Sequence, residues 1–172
     1  MKKTIAAMLI LVMTLGLCAC QQGQETAAYD GTMTDLINGL YEKVTVEISL
    51  SEPTAVDTAN ADTLQYYTGL TDASMVEEAV FSEALISAQA YSLCAIRVAE
   101  GQDAQSVAQT VLDGVNPNKW ICVGADDVQV AAYGDVVLLV MVDSGLSATL
   151  ADDLMAAFGE VVGGEPQVKL SK

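Results

Sequence analysis

The segment DVVLLVMVD (135–143) decides the fold, because its apolar residues alternate without leaving a polar face. Val136, Leu138, Val140 and Val142 point to one side, and Val137, Leu139 and Met141 point to the other. The segment AYSLCAIRV (90–98) repeats this plan, with Leu93 and Ala95 on one side and Cys94, Ile96 and Val98 on the other. A strand with one wet face would alternate apolar and polar residues. Both faces of this sheet are therefore predicted to be covered.

Around these two strands the sequence predicts the order ββα-ββα. Strands are expected at 76–87, 90–100, 128–133 and 135–143. A helix capped by Asp103 follows the first pair, and a helix that Ser147 can cap follows the second pair and ends at Gly163. We therefore expect an α+β fold: a two-layer sandwich with one four-stranded antiparallel sheet, a ββα-ββα pseudo-repeat and both of these helices on one face.

The N-terminal third has a weaker apolar pattern. A helix is expected after Thr34, with Leu36, Ile37, Leu40, Tyr41 and Val44 at helical spacing, and a second, shorter one at 62–68. These helices are the predicted cover of the second face of the sheet; a partner or a second copy is the alternative. Were that face bare, Leu93, Ala95, Leu139 and Met141, with Trp120 nearby, would form an interaction surface.

The first twenty residues read as an export signal. Lys2 and Lys3 precede an uncharged apolar run at 4–17, which is shorter than the roughly 20 residues of a membrane-spanning helix. Leu17-Cys18-Ala19-Cys20 resembles the bacterial lipobox, which implies cleavage before Cys20 and a diacylglyceryl thioether on its sulfur. The predicted organisation is a lipoprotein signal peptide at 1–19, a flexible tether at 20–32 and a single domain at 33–172, on the outer face of the cell membrane and anchored through Cys20.

Composition excludes several function classes. The 172 residues include no His, so a Ser-His-Asp triad, a Cys-His pair and a His-ligated metal are ruled out. After removal of residues 1–19, five basic and 23 acidic residues remain, for a net charge of −18. Phosphate backbones and anionic lipid headgroups repel such a chain, so no nucleic-acid partner is expected and the lipid must hold the domain to the membrane.

The candidate chemical groups all have ordinary structural explanations. Cys94 and Cys122 could form a disulfide in an exported protein, but buried free thiols are favoured. Asp126-Asp127 and Glu77-Glu78 could bind a cation or perform acid–base work, and solvated turn residues are the favoured interpretation. No catalytic, metal or cofactor site is therefore assigned.

Two further residues have a structural and a functional interpretation. Trp120, beside Lys119, is expected to cover the edge of the core rather than to form a recognition patch. Arg97, alone in an apolar strand, is expected to pair with a carboxylate rather than to bind an anionic ligand.

The stretch from about 75 to 162 resembles DUF 4358, a domain-of-unknown-function family of small bacterial surface lipoproteins. The resemblance is carried by ISAQAY (86–91), IRVAEGQDA (96–104), NKWICV (118–123) and YGDVV (133–137). It implies architecture and surface location, and it supplies no catalytic residues. The expected function is a non-enzymatic, lipid-anchored binding or interaction module with an unknown protein or small-molecule partner. The alternative is a small carboxylate- or metal-dependent hydrolase.

Overall fold

A computed structural model describes residues 28–172 as a single six-stranded antiparallel sheet with four α-helices. The sheet order is β1-β2-β3-β5-β4-β6. In chain order the elements are α1 (Met33–Lys43), β1 (Thr54–Ala55), α2 (Ala61–Thr68), β2 (Val76–Glu83), β3 (Tyr91–Val98), α3 (Ala104–Gly114), β4 (Asp127–Tyr133), β5 (Val136–Val142), α4 (Leu150–Val162) and β6 (Val168–Ser171). The predicted signal peptide at 1–19, Cys20 and the rest of the predicted tether up to residue 27 lie outside the described residues.

The α+β class is correct, but the predicted four-stranded sheet is wrong. The sequence pattern missed the two edge strands, β1 and β6. Both residues of β1 are exposed, and β6 alternates half-buried with exposed residues. Short edge strands bury little apolar surface, so their sequences carry little strand signal.

The two strands that decide the fold lie side by side at the centre of the sheet. β3 and β5 are antiparallel, with Ala95 opposite Leu138 and Cys94 opposite Leu139. Every residue of β5 is buried. The predicted burial of both sheet faces is therefore confirmed.

The predicted two-layer arrangement is also wrong, because the helices cover both faces of the sheet. Helices α2 and α3 pack on the face that contains Cys94, Ile96 and Leu139. Helices α1 and α4 pack on the opposite face, with Leu93 and Leu138. Since both faces of β3 and β5 are apolar, the strand pattern does not specify which face each helix covers. The N-terminal helices do cover the sheet, but each shares its face with one of the later helices.

Local capping explains most helix boundaries. Thr32, rather than Thr34, caps α1 in a capping box: Asp35 N donates to Thr32 Oγ1 at 3.0 Å, and Thr32 N donates to Asp35 Oδ2 at 3.1 Å. Asp103 caps α3 as predicted. α4 begins after Thr149, not at Ser147, and ends as predicted at Gly163 in the left-handed conformation.

No helix within residues 28–172 is both long enough and apolar enough to cross a membrane.

Candidate functional site

Lys119, in the loop after α3, is the centre of a polar and aromatic cluster on the α2/α3 face. Its side chain is 3% exposed. The ammonium Nζ donates to Ser92 Oγ at 3.0 Å and to the carbonyl oxygen of Tyr66 at 3.4 Å. It also lies 3.8 Å from Oε2 of Glu83. The loop is thereby fastened to α2 and to the ends of β2 and β3.

Aromatic rings enclose the same ammonium group. Nζ lies 4.3 Å from the ring centre of Tyr66, 5.1 Å from that of Tyr67 and 5.2 Å from that of Trp120. A cation over aromatic faces gains about 0.5–2 kcal/mol per good contact, more as it is desolvated. The rings therefore offset part of the cost of burying Lys119.

Burial sets the acid–base behaviour of this cluster. It lowers the pKa of Lys119 to about 8, although Glu83 and Cys94 act in the opposite direction. Burial also raises the pKa of the Cys94 thiol to about 12, which leaves it protonated and unreactive at neutral pH. The pKa of Tyr67 rises to about 12 through burial, with the charge of Glu83 as the next cause.

A surface cleft of about 320 Å³ lies beside the cluster, between α2 and the end of α3. It is lined by Asp62, Gln65, Tyr66, Gly114, Asn116 and Lys119. Tyr66 is one of several exposed residues in this lining, and 41% of its surface is accessible.

The contact between Ser92 and Lys119 resembles the Ser–Lys pair of some hydrolases, in which lysine deprotonates the serine. Ser92, however, is 0% exposed, so a substrate carbonyl cannot reach its Oγ in this conformation. The three polar partners of Nζ also lie within the protein. We therefore interpret the pair as structural.

A second cluster lies at the other end of the central strands, where the chain enters the domain. Arg97, at the end of β3, donates to the carboxylate of Asp135 in the β4–β5 turn and to the carbonyl oxygens of Tyr29 and Gly31. Tyr29 N in turn donates to Asp135 Oδ1 at 2.9 Å. The expected pairing of Arg97 with a carboxylate is confirmed, and it also holds the last residues of the predicted tether.

The proposed interaction surface needs correction. Leu93, Ala95, Leu139 and Met141 are all 0% exposed. Leu93 and Ala95 belong to the α1/α4 core, whereas Leu139 and Met141 belong to the α2/α3 core. The register places Leu139 opposite Cys94, so Leu139 shares a face with Cys94 and not with Leu93. These four residues form two cores rather than one surface.

Trp120 is half-buried and packs against the α2/α3 core, as its structural interpretation predicted. Its neighbour Ile121 is 78% exposed.

The cysteines behave differently from one another. Both are free, Cys94 is buried and Cys122 is exposed. The expected buried free thiol is correct for Cys94, but the expected burial of Cys122 is wrong, because its loop turns outward after Trp120.

The acidic pairs do not converge. Asp126 accepts hydrogen bonds from N and Oγ of Ser144, both at 2.7 Å, and these bonds lower its pKa. Asp127 accepts from Gln129 Nε2 at 3.1 Å. Asp126 therefore ties the start of β4 to the end of β5. Within residues 28–172, no cluster of three or more Asp, Glu or Cys residues could hold a metal ion.

Sequence reasoning did not find the Lys119 cluster as a unit. It considered Trp120 together with Lys119 and treated Cys94 separately, and it did not consider Tyr66, Glu83 or Ser92. The available signal was that Lys119 is one of only five basic residues after residue 19 and precedes the only Trp. The pairing of Glu83 with Ser92 across β2 and β3 exists only in the folded sheet.

No family model, curated protein or solved structure matches this chain.

Proposed function

We propose that the protein is a lipid-anchored extracytoplasmic binding module whose binding surface lies at the end of the sheet remote from its tether. The supporting observation is the separation of the two clusters. The tether enters beside Arg97, near the end of β3, and the Lys119 cluster contacts Ser92, near its start. Five residues of strand separate these positions, or roughly 17 Å.

The remote end carries the exposed apolar side chains. Leu85 and Ile86 are at the tip of the β2–β3 hairpin, and Ile121 is in the loop after α3. With residues 20–28 spanning at most about 30 Å, a lipid on Cys20 would hold the Arg97 end near the membrane and leave these side chains directed away from it. The likeness to DUF 4358 rests on sequence motifs alone and is part of this proposal.

The anchor is tested by Cys20→Ala, with Cys18→Ala as the matched control. Cys20→Ala is expected to abolish labelling by a palmitate analogue and to give a released or uncleaved protein. Cys18→Ala is expected to be labelled and membrane-bound like the wild type, because position −2 of the lipobox is tolerant. Normal processing and membrane fractionation of Cys20→Ala would refute the anchor.

The binding surface is tested by a photo-crosslinking amino acid in intact cells. At position 121 it is expected to give discrete adducts, and at the exposed position 160 on α4 it is expected to give none. Equal adducts at both positions would contradict a binding surface at the remote end.

The alternative, a carboxylate-dependent hydrolase, gains no specific support from the acidic pairs. A general acid needs a raised pKa, whereas Asp126 has a lowered one because Ser144 donates to it.

A further inference from the structure

Two loops with exposed apolar side chains extend from the buried contact of Lys119. The tip of one is the β2–β3 hairpin at Leu85 and Ile86, and the tip of the other is Ile121 in the loop after α3. Glu83 and Ser92 face each other across β2 and β3, just before the hairpin turns, and Lys119 contacts both. Leu85 is two residues beyond Glu83, and Ile121 is two residues beyond Lys119. Leu85 is 67% exposed and Ile86 is 54% exposed. The Lys119 contact therefore brings the bases of both tips together.

The backbone of each tip is fixed by hydrogen bonds. In the hairpin, Leu85 N donates to Ser49 O and Gln89 N donates to Ile86 O, both at 2.9 Å. The loop after α3 is closed at its base, where Ala125 N donates to Pro117 O at 2.8 Å. Ordered loops lose less entropy on binding, so the exposed side chains are preorganised for contact.

The loop tip is also strained. Cys122 has φ of 66°, and it is the only residue other than glycine with a positive φ among residues 28–172. Such a conformation costs on the order of 1–3 kcal/mol and persists where surrounding structure imposes it. Here the strained residue directly follows Ile121, the most exposed of the large apolar side chains in the described chain.

The charges around the tips are negative. Asp62 and Asp126 are exposed, and hydrogen bonds from Ser144 hold the pKa of Asp126 below its ordinary value. The two lysines that contact this end turn inward: Lys119 into its aromatic cluster, and Lys172 to the carbonyl oxygens of Leu112 and Val115 at the end of α3. An apolar centre is thus combined with an acidic surrounding.

We infer that the tips at Leu85, Ile86 and Ile121 bind a basic protein segment that supplies apolar side chains between its cationic ones. This inference rests on the proposed binding surface and names its partner. A second copy fits poorly, because each mature chain carries a charge of −18. An anionic lipid surface fits poorly for the same reason.

The test uses the full-length lipoprotein in neutral detergent and three synthetic 14-residue peptides at 150 mM salt. The peptides alternate Leu with Lys, Ser with Lys, and Leu with Glu. Binding is measured by fluorescence anisotropy. We expect the Leu/Lys peptide to bind at least tenfold more tightly than either of the others, because it alone combines apolar and cationic groups.

The triple variant Leu85→Ser/Ile86→Ser/Ile121→Ser is expected to weaken Leu/Lys binding at least tenfold. Its melting temperature should stay near that of the wild type, because all three side chains are exposed. Ala156→Ser, on the exposed side of α4, is the control and should bind like the wild type. Lipidation is measured separately, by palmitate-analogue labelling of the Cys20→Ala variant. Loss of the anchor and loss of peptide binding are therefore distinguishable.

Three results would overturn the inference. Equal binding of the Ser/Lys and Leu/Lys peptides, unchanged in the triple variant, would show nonspecific charge attraction. A dimer in wild type that the triple variant abolishes would make a second copy the occupant. Binding of the released, unlipidated Cys20→Ala protein to phosphatidylcholine vesicles, lost when the triple substitution is added to it, would make a lipid surface the occupant.

Discussion

A basic side chain packs at each end of the central strands, Arg97 at one end and Lys119 at the other, and different chemistry holds each of them. At the end where residues 28–31 enter the domain, the Arg97 guanidinium donates to a carboxylate and to two backbone carbonyls at once. At the remote end, the Lys119 ammonium has one hydroxyl, one carbonyl, a carboxylate at 3.8 Å and three aromatic rings. The planar fork of arginine suits several fixed oxygens, whereas the compact ammonium suits an aromatic enclosure.

The two ends should therefore respond differently to substitution. The Arg97 contacts join the domain to a segment that enters it, so their loss should release residues 29–31 locally. The Lys119 contacts join three elements of the domain to each other, so their loss should lower the stability of the whole fold.

Lys119→Met should produce the largest effect. The apolar side chain retains most of the packing but leaves the Glu83 carboxylate, which is 23% exposed, without its cation. We expect a loss of about 2 kcal/mol in the free energy of unfolding, below the usual 3–5 kcal/mol for a fully buried pair because Glu83 reaches water. Chemical denaturation measures it.

The matched control for that variant is the double substitution Lys119→Met/Glu83→Gln. With no charge left in the cluster, the double variant should be less destabilised than the sum of the two single variants. Strict additivity would show that the ion pair contributes nothing.

Arg97→Ala should have a smaller global effect, about 1 kcal/mol, because the pair is partly exposed and screened. The larger change is expected locally: amide hydrogen exchange at residues 29–31 should accelerate while that of β5 stays slow. Arg97→Lys is the control and should rescue only in part, since one ammonium cannot reproduce the planar guanidinium, which donates from two nitrogens to Asp135, Tyr29 and Gly31. Equal acceleration of amide hydrogen exchange across the whole domain would contradict the expected difference between the two ends.

Raising the pH should stabilise the Lys119 end. The pKa of Lys119 is about 8 in the folded chain and 10.5 at its ordinary value, so the folded state loses this proton first. The free energy of unfolding contributed by this group therefore rises from about pH 8 to 10.5. Between pH 7.5 and 8.5, the free energy of unfolding of wild type should rise relative to that of Lys119→Met. The rise should be less than about 1.4 kcal/mol, which is the limit for one proton per pH unit.

The pH measurement has an upper bound and a control. Above the ordinary value of 9.0, Cys94 acts in the opposite direction, because burial raises its folded pKa to about 12. The control is Lys169→Met, at an exposed position. Its free energy of unfolding should change with pH as that of wild type does over the same range. A difference of the opposite sign for Lys119→Met would contradict a depressed lysine pKa.

Cys122→Gly should give the smallest effect, a stabilisation below about 1 kcal/mol. Glycine adopts a φ of 66° without steric cost, although its freer unfolded state offsets part of the gain. Cys122→Val should destabilise instead, because a β-branched residue is disfavoured there. Thermal melts of both variants give the comparison, and equal melting temperatures would show that the loop is not strained.

Sequence patterns predicted what depends on neighbours along the chain. The alternation of apolar residues in β3 and β5 predicted that these segments are strands and that both of their faces are buried. Asp103 and Gly163 gave two helix ends, because caps act within one turn. The same alternation gave no information on which helix covers which face, and short edge strands such as β6 left too weak a pattern to detect.

For the candidate site, sequence alone determined the charge, the absence of histidine and the two-sided apolar strands, and it predicted the lipobox. Tertiary structure decided the rest: that Leu93 and Leu139 lie in different cores, that Arg97 meets Asp135, and that Lys119 is buried among Tyr66, Glu83 and Ser92. The physical reason is the range of the interactions. Caps and strand alternation are set within a few residues, whereas Lys119 meets Ser92 across 27 residues and Tyr66 across 53, after the sheet and helices have packed.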